Sequence, residues 1–370
     1  MTAAAAHGLL APTNKLRLGT FGTNVEGGPA LTTIPTRLRT EWSQVRALAI
    51  TADRMGLDAI VPVARWRGHG GAHNTHGSTF DTFTWAAGVG AVTQRAQVFS
   101  TCHMPAVHPV VAAKQLATID HITGGRAGVN TVGGWLRPEL EMFGAPMLEH
   151  DRRYDLADEW TRILRSLWAE DEFDFDGDFF TIRRGFSEPK PVGRPPIMNA
   201  GGSERGRLYA ARYADMAFVL LTGDDLASQR EQVQSLKRLA RDEFDRDIQV
   251  WTSAYLVCRD TVAEAERYLS WYADEHGDVE AADSALRTMS VESEVLGAQR
   301  WQQVRRGFIA GAGGVPLVGT PEMITARLAE LSGIGIDGCL LVCAEWEPEL
   351  DRLDRTVLPL LEQAGLRAPR

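Results

Sequence analysis

Short apolar runs alternate with segments of helical periodicity along most of the chain. The apolar runs lack polar alternation, which is typical of strands buried on both faces of a parallel sheet. Each run is followed by a segment in which apolar residues recur every three or four positions, as in an amphipathic helix. The eight runs cover residues 16–21, 58–63, 96–101, 127–132, 197–200, 216–221, 248–258 and 338–342. Periodicity alone does not separate a closed barrel from an open sheet, but eight units favour a (β/α)8 TIM barrel.

The stretch KQLATIDHITGGRAGVNTVGGW, residues 114–135, contains one such unit and the first sign of a site. Its helical part is predicted to stop at the pair Gly124 and Gly125, because glycine adopts a left-handed C-terminal cap without steric cost. The strand that follows contains the polar Asn130 and ends just before two glycines and Trp135. Ligands of parallel α/β proteins bind at the C-terminal ends of strands. Asn130 and Trp135 are therefore predicted site residues.

Three segments depart from the repeat. Residues 1–14 lack the basic and long apolar regions of a signal peptide, so we expect a flexible tail before a single domain of residues 15–370. Alternating aromatics around Asp176 and Gly177 predict a small hairpin. Residues 277–314 fit the repeat poorly and are predicted to be an insertion, with a helix over 291–309.

Composition narrows the class of partner. The chain has 370 residues, and 39 basic against 48 acidic residues leave a net charge of −9, which argues against nucleic acid or an anionic membrane. No stretch approaches the roughly 18 apolar residues of a membrane span. Four scattered cysteines show no metal-binding spacing, so we expect buried free thiols in a reducing cytoplasm.

Two predicted helix starts are suited to an anion. The sequence AGGSERG follows a strand, and Ser203 is placed to cap a helix whose free N–H groups and dipole favour negative charge. Arg153 and Tyr154 open another helix, and the arginine is able to supply a guanidinium to the same anion. Taken singly, an ordinary capped loop and a surface helix start explain these residues equally well. Together they suggest a phosphate-bearing cofactor.

Other chemistries have less support in the sequence. His69, His73 and His76 lie in one glycine-rich loop, and no paired histidines follow the first strand, so we expect no metal. Instead, His69 is predicted to line a polar pocket and His76 to lie at the surface. Cys102 stands beside His103, but a small buried residue after a strand is the simpler explanation. The alternating acidic residues of the hairpin are typical of a solvated face.

Several sequence segments, in this order, resemble the bacterial luciferase-like flavin monooxygenases. The resemblance is closest to the branch with alkanesulfonate and dimethylsulfone monooxygenases and pyrimidine monooxygenase. It covers roughly residues 16–221, with weaker support from LVGTPEMITARLAEL and DGCLLV. The run ATIDHITGGRAGVNTVGGW followed by HDRRYD is the most specific part. The other matching segments are RWRGHGG, WLRPEL, EHDRRYDLADEW, FDGDFFTI and AGGSERG.

This resemblance implies a cofactor, a partner and a reaction. Reduced FMN would bind at the C-terminal ends of the strands and would be delivered by a separate NAD(P)H-dependent flavin reductase. Molecular oxygen would add to it, and the peroxyflavin would oxygenate a small substrate such as a sulfone, sulfonate, cyclic amide or amine. A homodimer or homotetramer is expected. The implied flavin-binding residues are Ala64, Arg65, Asn130, Glu139, Arg153, Tyr154 and Ser203.

The resemblance also assigns roles within that set. Ala64 and Arg65 would lie against the ring, and Arg153, Tyr154 and Ser203 would hold the ribityl phosphate. Glu139 would reach the flavin's polar edge or chain, although a carboxylate at this place is equally suited to bind an arginine. His69, His103 and Trp135 would line the substrate pocket.

The finest implication concerns oxygen. In the pyrimidine-oxygenase branch a threonine and an asparagine flank a small oxygen pocket beside flavin N5, and Thr101 and Asn130 stand at those places here. Oxygen is then expected to react at N5 and not at C4a, unless Thr101 only satisfies a backbone group. Two alternatives stay open: hydride transfer with the deazaflavin F420 on the same barrel, and a non-catalytic flavin-binding protein. The sequence Ala64–Arg65–Trp66 departs from the family pattern, because relatives often carry a longer aliphatic residue at the place of Ala64.

Overall fold

Eight parallel strands close into a barrel in the computed structural model, which describes residues 8–10, 13–134, 136–145, 147–222, 225–289 and 298–369. Around the barrel the strands follow the order β1, β2, β3, β4, β7, β8, β9 and β11, and β11 pairs with β1 to complete the ring. The predicted (β/α)8 barrel is thereby confirmed. The barrel strands are β1 (Arg17–Phe21), β2 (Ala59–Val61), β3 (Gln97–His103), β4 (Ala127–Val132), β7 (Ile197–Asn199), β8 (Met216–Phe218), β9 (Gln249–Cys258) and β11 (Gly338–Val342).

Helices surround the barrel, and most of them bury apolar residues against the outer face of the strands. In α3, for example, Leu116 and Ile119 are buried and Gly124 ends the helix with a φ of 66°, as predicted. The helices are α1 (Trp42–Arg54), α2 (Thr82–Val92), α3 (Pro109–Thr123), α4 (Arg137–Met142), α5 (His150–Ala169), α6 (Glu204–Tyr213), α7 (Leu226–Phe244), α8 (Val262–Ser270), α9 (Val279–Thr288), α10 (Ala298–Gly311), α11 (Pro321–Ile334), α12 (Trp346–Arg352) and α13 (Leu358–Gln363).

Two additions decorate the barrel. The predicted hairpin is confirmed as the antiparallel pair β5 (Phe173–Asp176) and β6 (Thr181–Gly185). A ninth parallel strand, β10 (Val315–Gly319), pairs with the C-terminal half of β9. This strand was not predicted. β9 is ten residues long and extends beyond its barrel neighbours, so its free edge provides the hydrogen-bond partners that make this short segment a strand.

Within the described residues, one cluster of apolar side chains from seven strands fills the interior of the barrel. Trp251 is fully buried there, and a Cβ on Gly338 would lie 2.3 Å from its ring, so only glycine fits beside it. Most of the predicted tail lies outside the described residues. Its turn at Gly8–Leu10 places the buried Leu9 in the same cluster, and the Leu9 carbonyl accepts a hydrogen bond from Gln249 at the start of β9. Leu9 therefore closes the N-terminal mouth of the barrel.

All four cysteines are buried and unpaired in the described structure, as expected from their apolar surroundings. No described helix combines the length and the apolar composition that crossing a membrane requires. The predicted helix over 291–309 is observed as Ala298–Gly311, and residues 290–297 lie outside the described part of the chain.

Candidate active site

A buried asparagine organises the loops at the C-terminal end of the barrel. The side chain of Asn24 donates to the carbonyls of Val63 and Phe80, at 2.8 and 3.2 Å, and accepts from the N–H of Val63 at 2.8 Å. These bonds fix the chain where it leaves β2, so that Ala64 and Arg65 follow in a defined position. Sequence reasoning missed Asn24. Its position three residues beyond the end of β1 was the available signal.

Thr101 and Asn130 are adjacent partners in the register of β3 and β4. The Thr101 hydroxyl donates to the carbonyl of Pro62 at 2.6 Å and accepts from the Asn130 side-chain amide at 3.3 Å. Thr101 thus satisfies a backbone group and also orients Asn130. The amide oxygen of Asn130 is buried and has no hydrogen-bond partner within the described residues.

A cavity opens beside this pair at the C-terminal end of the barrel. Together with its solvent-filled mouth, it encloses about 440 Å³ of open space. Aromatic rings and a few polar groups share its wall, as in small-molecule sites. The lining residues are Ala64, Arg65, Trp66, Thr79, Phe80, Asp81, Thr82, Phe83, Thr101, His103, Ala106 and Val107. Ala64, Arg65, Thr101 and His103, which the sequence singled out, are therefore brought together.

Glu139 is fully buried on the short helix α4 and binds the loop that follows β2. Its Oε1 accepts from the backbone N–H groups of Trp66 and Arg67, at 2.7 and 3.0 Å. The same oxygen lies 3.7 Å from the guanidinium of Arg65. The sequence left open whether this carboxylate binds flavin or an arginine, and in the structure it lies beside Arg65. Burial lowers the pKa of Arg65, and the negative charge of Glu139 counteracts that effect.

His103 faces the other oxygen of the same carboxylate. Its Nδ1 lies 3.6 Å from Oε2 of Glu139, and both side chains are almost completely buried. Burial lowers the pKa of His103 to about 4; Glu139 favours the protonated ring, whereas Arg65 opposes it. The imidazole is therefore neutral near pH 7 and is held next to a carboxylate. Such an arrangement is able to accept and release a proton.

The histidine-rich loop folds inward, which makes the surface prediction for His76 wrong. His76 is buried, and its Nε2 donates to the carbonyl of Gly28 at 2.8 Å. Asp278, at the start of α9, accepts hydrogen bonds from the Ala72 N–H and the Thr75 hydroxyl and so holds the loop inward. Burial lowers the pKa of His76 to about 3 and that of His69 to about 4.

His69 lies against His76, with ring centroids 5.3 Å apart. It is close enough to Arg65 for that charge to lower its pKa further, but it does not line the cavity. Its role in a substrate pocket stays a prediction. Among the described residues, no group of histidine, cysteine or acidic side chains converges in a way that would hold a metal ion.

Tyr154 and Ser203 meet at the start of α6. The Ser203 hydroxyl caps the helix by accepting from the N–H of Gly206 at 3.1 Å, and it donates to the Tyr154 hydroxyl at 3.5 Å. A Cβ on Gly206 would lie 2.5 Å from the Tyr154 hydroxyl, so glycine permits this approach. The helix dipole and the free first-turn N–H groups make the place suitable for an anion.

Arg153 extends this region towards the end of β4. Its guanidinium donates to the carbonyl of Gly134 at 3.1 Å, while its Nε is buried without a hydrogen-bond partner in the described structure. Asn199 supports the opposite side, since its side chain accepts from Gly201 and donates to Thr131. Sequence reasoning missed Asn199, although a polar residue ending an apolar run is a recognisable signal. Trp135 lies outside the described residues.

Comparisons with known proteins agree with this architecture. The luciferase-like monooxygenase family model matches residues 9–338. The FMNH2-dependent dimethylsulfone monooxygenase of Pseudomonas fluorescens is 32% identical over 359 residues, which cover 93% of this chain and 94% of that protein. The pyrimidine monooxygenase RutA of Escherichia coli is 29% identical over 325 residues, covering 86% and 88%. The crystal structure of riboflavin lyase (RcaE) has the same fold, with a TM-score of 0.83, 24% identity and coverage of 95% and 92%.

Proposed function

The chain belongs to the luciferase-like monooxygenase family, and on that premise we propose that it is a two-component flavin monooxygenase. It would use reduced FMN and O2 to oxygenate a small organic molecule, with a separate NAD(P)H-dependent flavin reductase as the source of reduced flavin. The dependence on FMNH2 that is stated in the name of the dimethylsulfone monooxygenase supports this cofactor.

The observation that carries the proposal is the unpaired amide oxygen of Asn130. A buried acceptor without a partner costs about 1–3 kcal/mol. The amide nitrogen of Asn130 donates to the Thr101 hydroxyl, whose own hydrogen is donated to Pro62. Rotating the amide would therefore give its oxygen no hydrogen bond from this hydroxyl. A flat heterocycle with ring N–H groups, such as reduced flavin, satisfies this acceptor. The position of the pair at the C-terminal ends of two strands is where a barrel enzyme binds its ligand.

The region of Tyr154 and Ser203 fits the other end of the same cofactor. A phosphate monoester requires N–H and O–H donors and a positive field, and the start of α6 supplies both. The guanidinium of Arg153, in the first turn of α5, adds a permanent positive charge nearby. FMN carries such a phosphate at the end of its ribityl chain.

When bound, reduced FMN would supply the two electrons with which O2 gives one oxygen atom to the substrate and one to water. The chain's own contribution is to keep water away and to direct polar groups at that place. Thr101 and Asn130 are both almost completely buried and in contact. Reaction of oxygen at flavin N5, which the resemblance implies for this pair, stays a prediction. The substrate would occupy the cavity between His103 and the aromatic wall.

Anaerobic titration of the protein with reduced FMN and with F420 tests the cofactor. We expect reduced FMN alone to bind tightly, and aerobic turnover with a flavin reductase to oxygenate members of a panel of sulfones, sulfonates, cyclic amides and amines. Binding of F420 in place of FMN would establish hydride transfer instead. Oxygen consumption without an oxygenated product for any compound would favour a non-catalytic flavin-binding protein.

Replacing Ser203 by alanine is expected to weaken reduced-FMN binding by about 1–3 kcal/mol, because a hydroxyl donor to the phosphate is lost. The helix cap is lost at the same time, which costs about 1 kcal/mol of stability. Thr320→Ala is the matched control, since Thr320 caps α11 in the same way by accepting from Met323. Equal reduced-FMN affinity in both variants, measured by anaerobic fluorescence titration, would contradict the phosphate assignment.

Replacing Thr101 by leucine is expected to slow the oxidation of bound reduced FMN by O2 at least tenfold, with little change in FMN affinity. The larger side chain fills the space beside Asn130 into which oxygen would have to enter. Thr101→Val separates the effects, because it removes the hydroxyl but adds no volume. Stopped-flow oxidation at the same rate in the leucine variant and in the wild type would exclude an oxygen pocket at this position.

A further inference from the structure

The His103 ring and the Glu139 carboxylate contain two buried atoms that lack partners and face one another. Nδ1 of His103 and Oε2 of Glu139 are 3.6 Å apart, and neither makes a hydrogen bond to any described residue. A carboxylate oxygen only accepts, so a proton on Nδ1 is the arrangement that serves both atoms. Hydrogen bonds at catalytic sites are often long without ligand and shorten when it binds.

The carboxylate is held in a fixed orientation towards this ring. Its Oε1 accepts two backbone N–H bonds from the loop after β2, and these prevent the group from turning. The helix α4 carries Glu139 completely buried, so water does not compete for Oε2. Glu139 is therefore suited to select the tautomer of His103.

His103 also lines the cavity, although only a small part of the residue is exposed. Nδ1 has almost no accessible surface, whereas His103 is one of the lining residues. In the neutral tautomer with a proton on Nδ1, the lone pair is on Nε2. Because Nδ1 is turned towards Glu139 and the residue lines the cavity, the geometry points to Nε2 as the nitrogen available to a molecule bound there.

Two charged groups act on the ring, and a third lines the same cavity. Glu139 and Arg65 face it from α4 and from the loop after β2, and Asp81 lies on the cavity wall at the start of α2. Burial and Arg65 together outweigh Glu139 and keep the pKa of His103 near 4. The ring is consequently unprotonated at neutral pH, and Glu139 offsets part of the cost of placing a proton on it.

We infer that His103, oriented by Glu139, is the general base of this site, and that the substrate is a small uncharged molecule with an acidic N–H or C–H. The oxygenation itself rests on the proposed function. Nε2 takes the proton, and the electron pair of the broken bond stays on the substrate. Reduced FMN supplies two electrons and O2 supplies the oxygen atom. The proton leaves His103 when the second oxygen atom departs as water.

The surroundings favour an uncharged substrate. The positive charge of Arg65 already has the negative charge of Glu139 beside it, so the pair contributes little net charge. The wall also contains the rings of Trp66, Phe80 and Phe83, which bind apolar or flat molecules. Asp81 on the same wall disfavours an anionic substrate. Nε2 of His103, as a hydrogen-bond acceptor in this wall, favours a molecule with an N–H or C–H hydrogen to donate.

The tautomer is measurable in the protein without flavin or substrate, by long-range ¹H–¹⁵N NMR of ¹⁵N-histidine-labelled chain. His103 is expected to be protonated on Nδ1 only, from pH 8 down to about pH 5. His76 is the internal reference, because its Nε2 donates to Gly28 and so must carry the proton. A wild-type His103 protonated on Nε2, or charged at pH 7, would overturn the assignment of the base.

Glu139→Gln is the matched variant for the role of the carboxylate. Glutamine retains an oxygen for the N–H groups of Trp66 and Arg67 but presents an NH2 group to the ring. We expect His103 to switch to the Nε2–H tautomer while His76 remains unchanged. A merely structural Glu139 would leave both tautomers as they are, and that result would remove its positioning role.

Accessibility of the lone pair is tested with diethyl pyrocarbonate, a small electrophile that acylates unprotonated imidazole. Peptide mass spectrometry should detect faster modification of His103 than of His76, and at least tenfold slower modification of His103 in Glu139→Gln. Equal rates for the two histidines in the wild type would exclude a cavity-facing lone pair. Neither this experiment nor the NMR measurement uses flavin, so a failure to bind reduced FMN would refute the proposed function without affecting this result.

The substrate class is tested in the aerobic panel. Compounds that the wild type oxygenates should carry an acidic N–H or C–H, and His103→Asn should lower kcat/KM for them about 100- to 10,000-fold. Affinity for reduced FMN should change less than threefold. Oxygenation confined to compounds without such a hydrogen, or full activity in His103→Asn, would overturn the general-base role.

Discussion

Replacing Glu139 by alanine is expected to lower the free energy of unfolding by about 3–5 kcal/mol, the usual effect of removing one member of a buried ion pair. The guanidinium of Arg65 would lose the carboxylate that lies 3.7 Å away. The N–H groups of Trp66 and Arg67 would lose their acceptor inside the protein. Chemical denaturation of the flavin-free protein, followed by circular dichroism, measures the change.

Two further variants locate the cause of that loss. Glu141→Ala, an exposed position on the same short helix, should change stability by less than about 0.5 kcal/mol. Glu139→Gln retains the acceptor oxygen and should be less destabilised than Glu139→Ala. If all three variants unfolded at the same denaturant concentration as the wild type, the buried carboxylate would not stabilise the loop after β2.

Replacing Arg153 by alanine is expected to weaken reduced-FMN binding by about 1–3 kcal/mol, or roughly 5- to 160-fold. The reason is the loss of a permanent positive charge from the first turn of α5, beside the Tyr154–Ser203 region. Anaerobic titration at two ionic strengths measures the change. The effect should be smaller at high salt, because screening weakens the charge interaction.

Arg152→Ala is the control for this prediction. Arg152 precedes Arg153 on the same helix, but it is half-exposed and pairs with Asp155 and Asp178. Its removal takes away the same formal charge from the same turn. Equal losses of FMN affinity in the two variants would mean that general electrostatics, and not a specific contact of Arg153, accounts for binding.

Much of the architecture was predictable because its causes are local. Each barrel strand is an unalternating apolar run, and Gly124 ends α3 with the left-handed conformation that its sequence predicts. The family resemblance, carried by residues 114–135 and the HDRRYD segment, is confirmed by the family model that matches residues 9–338. The ninth strand was missed because its stability comes from the extended edge of β9, which no pattern within residues 315–319 reveals.

The errors and omissions in the site have a common cause. His76 was assigned to the surface because its neighbours are glycines and polar residues, yet Asp278 draws that loop into the protein. Asn24 and Asn199 were missed because their partners lie elsewhere in the chain, at Val63 after β2 and at Thr131 in β4. In each case the deciding contact joins residues that are distant along the chain.

The sequence by itself determined the barrel, the family and the candidates for cofactor binding, because period, helix caps and motif order are local properties. Only the tertiary structure decided which of these candidates act together. Glu139 reaches Trp66 across 73 positions of sequence, and Ser203 reaches Tyr154 across 49. Burial of these polar groups makes each contact energetically significant, and burial is a property of the closed barrel and its loops, not of any single segment.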